Sequence, residues 1–117
     1  MENFKQQIID ILVGAGFEQT IDVFNKTVVH TQPGAVMNIN GRTFQQPGQQ
    51  IKIEQRFEFK GPCTITDTES EKTDESLMCG FYVSQENSDP QIDADINFYP
   101  DEIDLVKTNF KQIFGIN

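Results

Sequence analysis

Ten consecutive residues, IKIEQRFEFK at positions 51–60, alternate between two kinds of side chain. Ile51, Ile53, Phe57 and Phe59 fall on one side, with Gln55 as an interruption. Lys52, Glu54, Arg56, Glu58 and Lys60 fall on the other. Successive side chains of a strand point to opposite faces, so this segment is a strand with one buried face and one wet face. A sheet wetted on one face is antiparallel, because parallel sheets are covered on both. Whatever else the chain does, it must lay apolar groups over Phe57 and Phe59.

The cover comes from the two ends of the chain. In NFKQQIIDILV the spacing puts Phe4, Ile8, Ile11 and Leu12 on one helical face, with Gly14 and Gly16 to end the helix. In PDEIDLVKTNFKQIFG, Ile103, Val106, Phe110, Ile113 and Phe114 share a face. Asp101 and Glu102 sit at the positive end of that helix, Lys107 and Lys111 lie toward the negative end, and Gly115 closes it. Between the helices the period is two. TIDVF and TVVHT flank Asn25-Lys26 as a hairpin, AVMNI and RTFQQ flank Asn40-Gly41, and Pro47-Gly48 forms a further turn. CTITD pairs with LMCGFYVS, and IDADINFY buries Ile92, Ala94, Ile96 and Phe98. The expected fold is a single α+β domain over residues 1–117. It holds a curved antiparallel sheet of about six to eight strands in meander hairpins, with N-terminal and C-terminal helices packed on one face.

Charge is unevenly distributed. Residues 1–60 hold six acids and six Lys or Arg, whereas residues 61–117 hold twelve acids against Lys72, Lys107 and Lys111. The net charge of −9 therefore belongs to the second half. Such a surface repels phosphate backbones, which argues against nucleic-acid binding; it suits a basic partner, a cation, or nothing beyond solubility. No apolar run approaches the roughly 20 residues of a membrane span. The opening MENFKQQIIDILVGAG mixes charge signs and is broken by Asp10, unlike a signal peptide. The expected compartment is the cytoplasm, where Cys63 and Cys79 stay reduced.

Chemistry-bearing motifs fail one by one. Gly14-x-Gly16 is followed by Gln19 where a dinucleotide fingerprint needs a small residue, and the β-branched segment after it is no helix. Read as a calcium loop from Asp67, the segment CTITDTESEKTDESLMC places Lys72 where glycine belongs and Met78 where the bidentate glutamate belongs. Cys63, Cys79 and the single His30 make too few zinc ligands and include no close C-x-x-C pair. The sequence has no nucleophile elbow to give His30 a serine partner. Asp93 and Asp95 share the wet face of one strand, where two carboxylates are simply ionised. No catalytic residue, cofactor or metal site is expected.

What remains is a surface. If strands 63–67 and 75–82 pair as a hairpin, Cys63 and Cys79 can fall opposite each other, beneath an acidic tip. The expected interaction residues are Asp67, Glu69, Glu71, Asp74 and Glu75 in that tip, with Asp93 and Asp95. The expected function is that of a small acidic accessory or interaction protein, non-enzymatic, binding a protein through residues 61–117. Homo-oligomers are compatible with this. The alternative is a small-molecule-binding domain whose apolar pocket between sheet and helices is lined by Phe57, Phe59, Phe98 and Phe110.

Overall fold

The computed structural model describes residues 1–66, 73–86 and 90–116. The elements run α1 (Glu2–Gly14), β1 (Glu18–Thr20), β2 (Val23–Gln32), β3 (Val36–Ile39), β4 (Arg42–Gln45), β5 (Gln49–Thr66), β6 (Thr73–Gln85), β7 (Pro90–Phe98) and α2 (Ile103–Phe114). Five strands form one antiparallel sheet in the order β1-β2-β5-β6-β7, and β3-β4 form a separate two-stranded sheet. The fold is α+β with a helix at each end of the chain, as the periodicities require.

Both helices cover the same face of the large sheet. Phe4, Ile8 and Leu12 of α1 and Val106, Phe110 and Phe114 of α2 are buried in one cluster with Phe24, Phe57, Phe59, Leu77, Cys79, Phe81 and Phe98. Spacings of four residues put each trio on one stripe of its helix. Phe17, just past α1, meets Phe114 at 5.2 Å between ring centroids and so joins the two helix ends. At the end of α2, Gly115 adopts φ +69°, and the Gly115 and Ile116 N–H groups donate to Lys111 O and Phe110 O. These bonds satisfy helix-end carbonyls, and only glycine takes that conformation without a Cβ penalty.

Gln55, the break in the apolar alternation of β5, is buried for a reason. Its Nε2 donates to Phe114 O at 3.2 Å, so a sheet residue accounts for one of the last carbonyls of α2.

Four local expectations are corrected. Asn25-Lys26 is not a turn: β2 runs straight through it, with Asn25 opposite Arg56 and Lys26 opposite Gln55. The Lys26 Nζ donates to Ala15 O at 2.6 Å and lies over the Phe17 ring, so tertiary contacts override a weak turn signal. The reversal comes earlier, at Ile21-Asp22, with Ile21 at φ +53°. Segments 51–60 and 63–66, read as separate strands, are one strand carrying a bulge between Phe59 and Pro62, with Gly61 at φ +105°. That irregularity sets the register so that Cys79 faces Phe59 and Cys63 faces Ser76, not each other. Ala94 lies along the core-facing side of β7 yet stays exposed, because β7 is a sheet edge and the side chain is short.

The largest departure is in shape. The Asn40-Gly41 turn has both residues at positive φ, as a tight hairpin demands, and joins β3 to β4. Pro47-Gly48, however, does not reverse the chain. Residues 46–48 carry β4 into β5 beside residues 33–35, which carry β2 into β3, so the β3-β4 hairpin is nested beyond the end of the β2-β5 ladder. The third strand stops where Gln85 meets Ile53 and the Glu86 N–H reaches Lys52 O. Past that point, among the described residues, a two-stranded arm continues alone, and from Val29 to Gln50 every residue but Gly34 is exposed. The molecule measures 78 × 28 × 23 Å with a radius of gyration of 20.1 Å. A compact chain of this length would have about 13 Å.

Candidate functional site

The wet face of the large sheet carries mixed charge. Lys60 Nζ lies 2.9 Å from Asp95 Oδ1, across Gly80, whose missing side chain leaves the room: a Cβ there would stand 3.0 Å from Lys60 Cε and 3.3 Å from Asp95 Oδ1. The hydrogen bond to Asp95 holds the Lys60 ammonium above its usual pKa, against a smaller desolvation effect that lowers it. Arg56 stacks over Tyr82 at 4.6 Å, and Asp93 faces Tyr82 across the ladder. Asp93 and Asp95 thus lie on the exposed face of β7, Asp95 engaged by a lysine.

Glu75 is exposed near the start of β6. Asp67, Glu69 and Glu71 lie outside the described residues, as do the side chains of Asp74 and Cys63. Cys79 is a free, fully buried thiol, and burial pushes its pKa up to about 12. Such a thiol is an inert core group at neutral pH. His30 stands in the arm opposite Ile51, eight positions along β5 from Phe59, the partner of Cys79. At about 3.3 Å per residue that is roughly 26 Å, which keeps imidazole and thiol apart. Among the described residues no group of three or more His, Cys, Asp or Glu side chains is placed to hold a metal ion.

Phe57, Phe59, Phe98 and Phe110 are all buried. Phe57 meets Phe59 edge-on at 5.1 Å and Phe110 at 5.5 Å, while Phe98 packs on Phe81 at 6.2 Å. These rings pack against neighbouring rings between sheet and helices, in the edge-to-face geometry aromatic quadrupoles favour.

Two surfaces escaped the sequence reading. One is an open cleft of about 450 Å³ lined by Glu75, Tyr99, Pro100 and Asp101, where β7 passes into α2. The Tyr99 N–H donates to Glu102 Oε1 at 2.7 Å and the Glu102 N–H donates to Tyr99 O, so the turn forming one wall is pinned. The other is the arm hairpin. Met37 lies opposite Phe44 and Ile39 opposite Arg42, and residues two apart share a face, so these four lie together on one side. Met37, Ile39 and Phe44 are 41%, 48% and 50% exposed, an apolar strip with a guanidinium at its end. Its signal was present in the letters: no Asp or Glu occurs from Thr27 to Ile53. No family model, no curated protein and no solved structure matches the chain.

Proposed function

We propose that the chain is a non-enzymatic interaction protein that binds a basic protein partner through its acidic half, residues 61–117. The observation that carries this reading is the polarity of the elongated molecule. Glu75 lies on β6, Glu86 just past its end, Asp93 and Asp95 on β7, Asp101 and Glu102 in the turn before α2 and Asp104 in its first turn, whereas the projecting arm holds no acid at all. A surface with an excess of one sign steers and retains a partner of the other, and it does so less at high salt.

The test is capture of the partner by the tagged chain from extracts of its native cells, at about 0.1 M and about 1 M salt, where the Debye length falls from about 10 Å to 3 Å. Capture is expected at low salt only. Neutralising Glu69, Glu71, Asp74 and Glu75 together, or Asp93 and Asp95 together, is expected to weaken it about tenfold. Neutralising Glu2 and Asp10 is expected to leave it unchanged. Equal capture by all variants would refute the reading.

A further inference from the structure

We propose that the arm of one copy docks into the cleft between Glu75 and Asp101 of a second copy, so that the chain assembles head to tail. The inference rests on the acidic half being a docking face and gives that face a second occupant, the acid-free arm of another copy of this chain.

Three observations lead there. First, the arm carries an unpartnered apolar face. A two-stranded hairpin is marginal alone in water, yet this one presents Met37, Ile39 and Phe44 to solvent, with no third strand or helix over them among the described residues. Exposed apolar strips of this kind mark association surfaces. Second, the two surfaces are complementary. Arg42 extends the apolar strip in a segment without acids, and the cleft offers the carboxylates of Glu75 and Asp101 beside the ring of Tyr99, which is 38% exposed, and Pro100. An arginine flanked by apolar groups suits a site that combines carboxylates with an aromatic ring.

Third, one chain cannot satisfy both surfaces. The arm leaves β5 at Gln49, whereas the cleft lies beside the pairings of Leu77 with Pro62 and Phe98. Gln49 and Pro62 are thirteen positions apart on one strand, which is roughly 43 Å before the length of the arm is added. The complementary ends point away from each other, so the contact must be made between copies. An interface between two different patches is heterologous, and it repeats into a ring or an open filament.

The test is sedimentation velocity on the full chain and two charge reversals, Arg42→Glu and the pair Glu75→Lys with Asp101→Lys. All three positions are exposed, so thermal unfolding is expected to be the same for all three proteins. At about 0.1 M salt the wild-type chain is expected to sediment well above its 13.3 kDa monomer mass, increasingly so with concentration. Each reversal alone is expected to weaken association at least tenfold. Mixing the two variants in equal amounts is expected to restore it, since each arm then meets a cleft of opposite sign. A full-chain Phe44→Ser variant, which changes no charge, is expected to weaken association as well.

A wild-type chain that stays monomeric at about 100 μM, far above the micromolar range of ordinary weak complexes, would overturn self-docking. So would failure of the mixture to reassociate. If those results came with partner capture that Arg42→Glu leaves intact and acid neutralisation abolishes, self-docking would fall while the acidic-face reading stood. Restored assembly in the mixture, with partner capture insensitive to every acid, would support self-docking and remove the other reading.

Discussion

Replacing Phe57 by alanine is expected to cost about 3–5 kcal/mol, most of the stability of a domain this size, and to leave much of the protein unfolded at 37 °C. Phe57 is the hub of the ring cluster. Its centroid lies 5.9 Å from Phe24, 5.1 Å from Phe59, 5.3 Å from Phe81 and 5.5 Å from Phe110, joining three strands and α2. Its neighbours are held by β2, β5, β6 and α2 and cannot all close on the void. Denaturant titration followed by circular dichroism measures the loss. A cost below about 1 kcal/mol would mean that the rings are not packed as described. The exposed Phe44→Ser change supplies the contrast, the same residue type lost with no core effect.

The second large effect is expected at the joint between body and arm. A Cβ on Gly34 would collide with the backbone carbonyl of Gln46 and stand 2.9 Å from Pro47 O, while a Cβ on Gly48 would stand 2.7 Å from Gln32 O. The obstacles are main chain, so no rotamer change relieves them. Gly34→Val must therefore open the joint and break the 2.9 Å bond from the Gln46 N–H to Ala35 O. The β3-β4 hairpin beyond it has little else to hold it. The expected result is loss of hydrogen-exchange protection across Val36–Gln45, at least tenfold, with the melting temperature of the body nearly unchanged. Unaltered protection in the arm would contradict the nested joint.

These two sites differ in how well the sequence announces them. Phe57 sits in an alternation that admits one reading, and the helices opposite it follow from the spacing of Phe4, Ile8 and Leu12 and of Val106, Phe110 and Phe114. Asn40-Gly41 is equally plain, because few residue pairs accept positive φ twice. The arm was hidden because its existence depends on where a third strand ends. That is a fact about Gln85 and Ile53: the acid-free run from Thr27 to Ile53 marks the segment but does not encode that it projects. Asn25-Lys26 misled for the same reason: the pairing of β2 with β5 and the bond from Lys26 to Ala15 are long-range. The register of Cys63 turned on one bulge at Gly61, and a shift of this kind moves every later pair. The exposure of Asp93 and Asp95 on β7 was legible from alternation alone. The cleft at Glu75 and Asp101 was not, since it joins the start of β6 to the turn before α2.

Small-angle scattering of the wild-type chain tests most directly that its acid-free arm projects away from the body that carries the acids. In dilute solution at about 1 M salt, where charge attraction is screened, the expected radius of gyration is near 20.1 Å, with a longest dimension near 78 Å. At about 0.1 M salt and rising concentration both are expected to grow, as arms find the clefts of other copies. A radius of gyration near 13 Å, the value of a compact fold, would contradict the account. It would mean that the arm lies back on the body and that the two surfaces are satisfied within one chain.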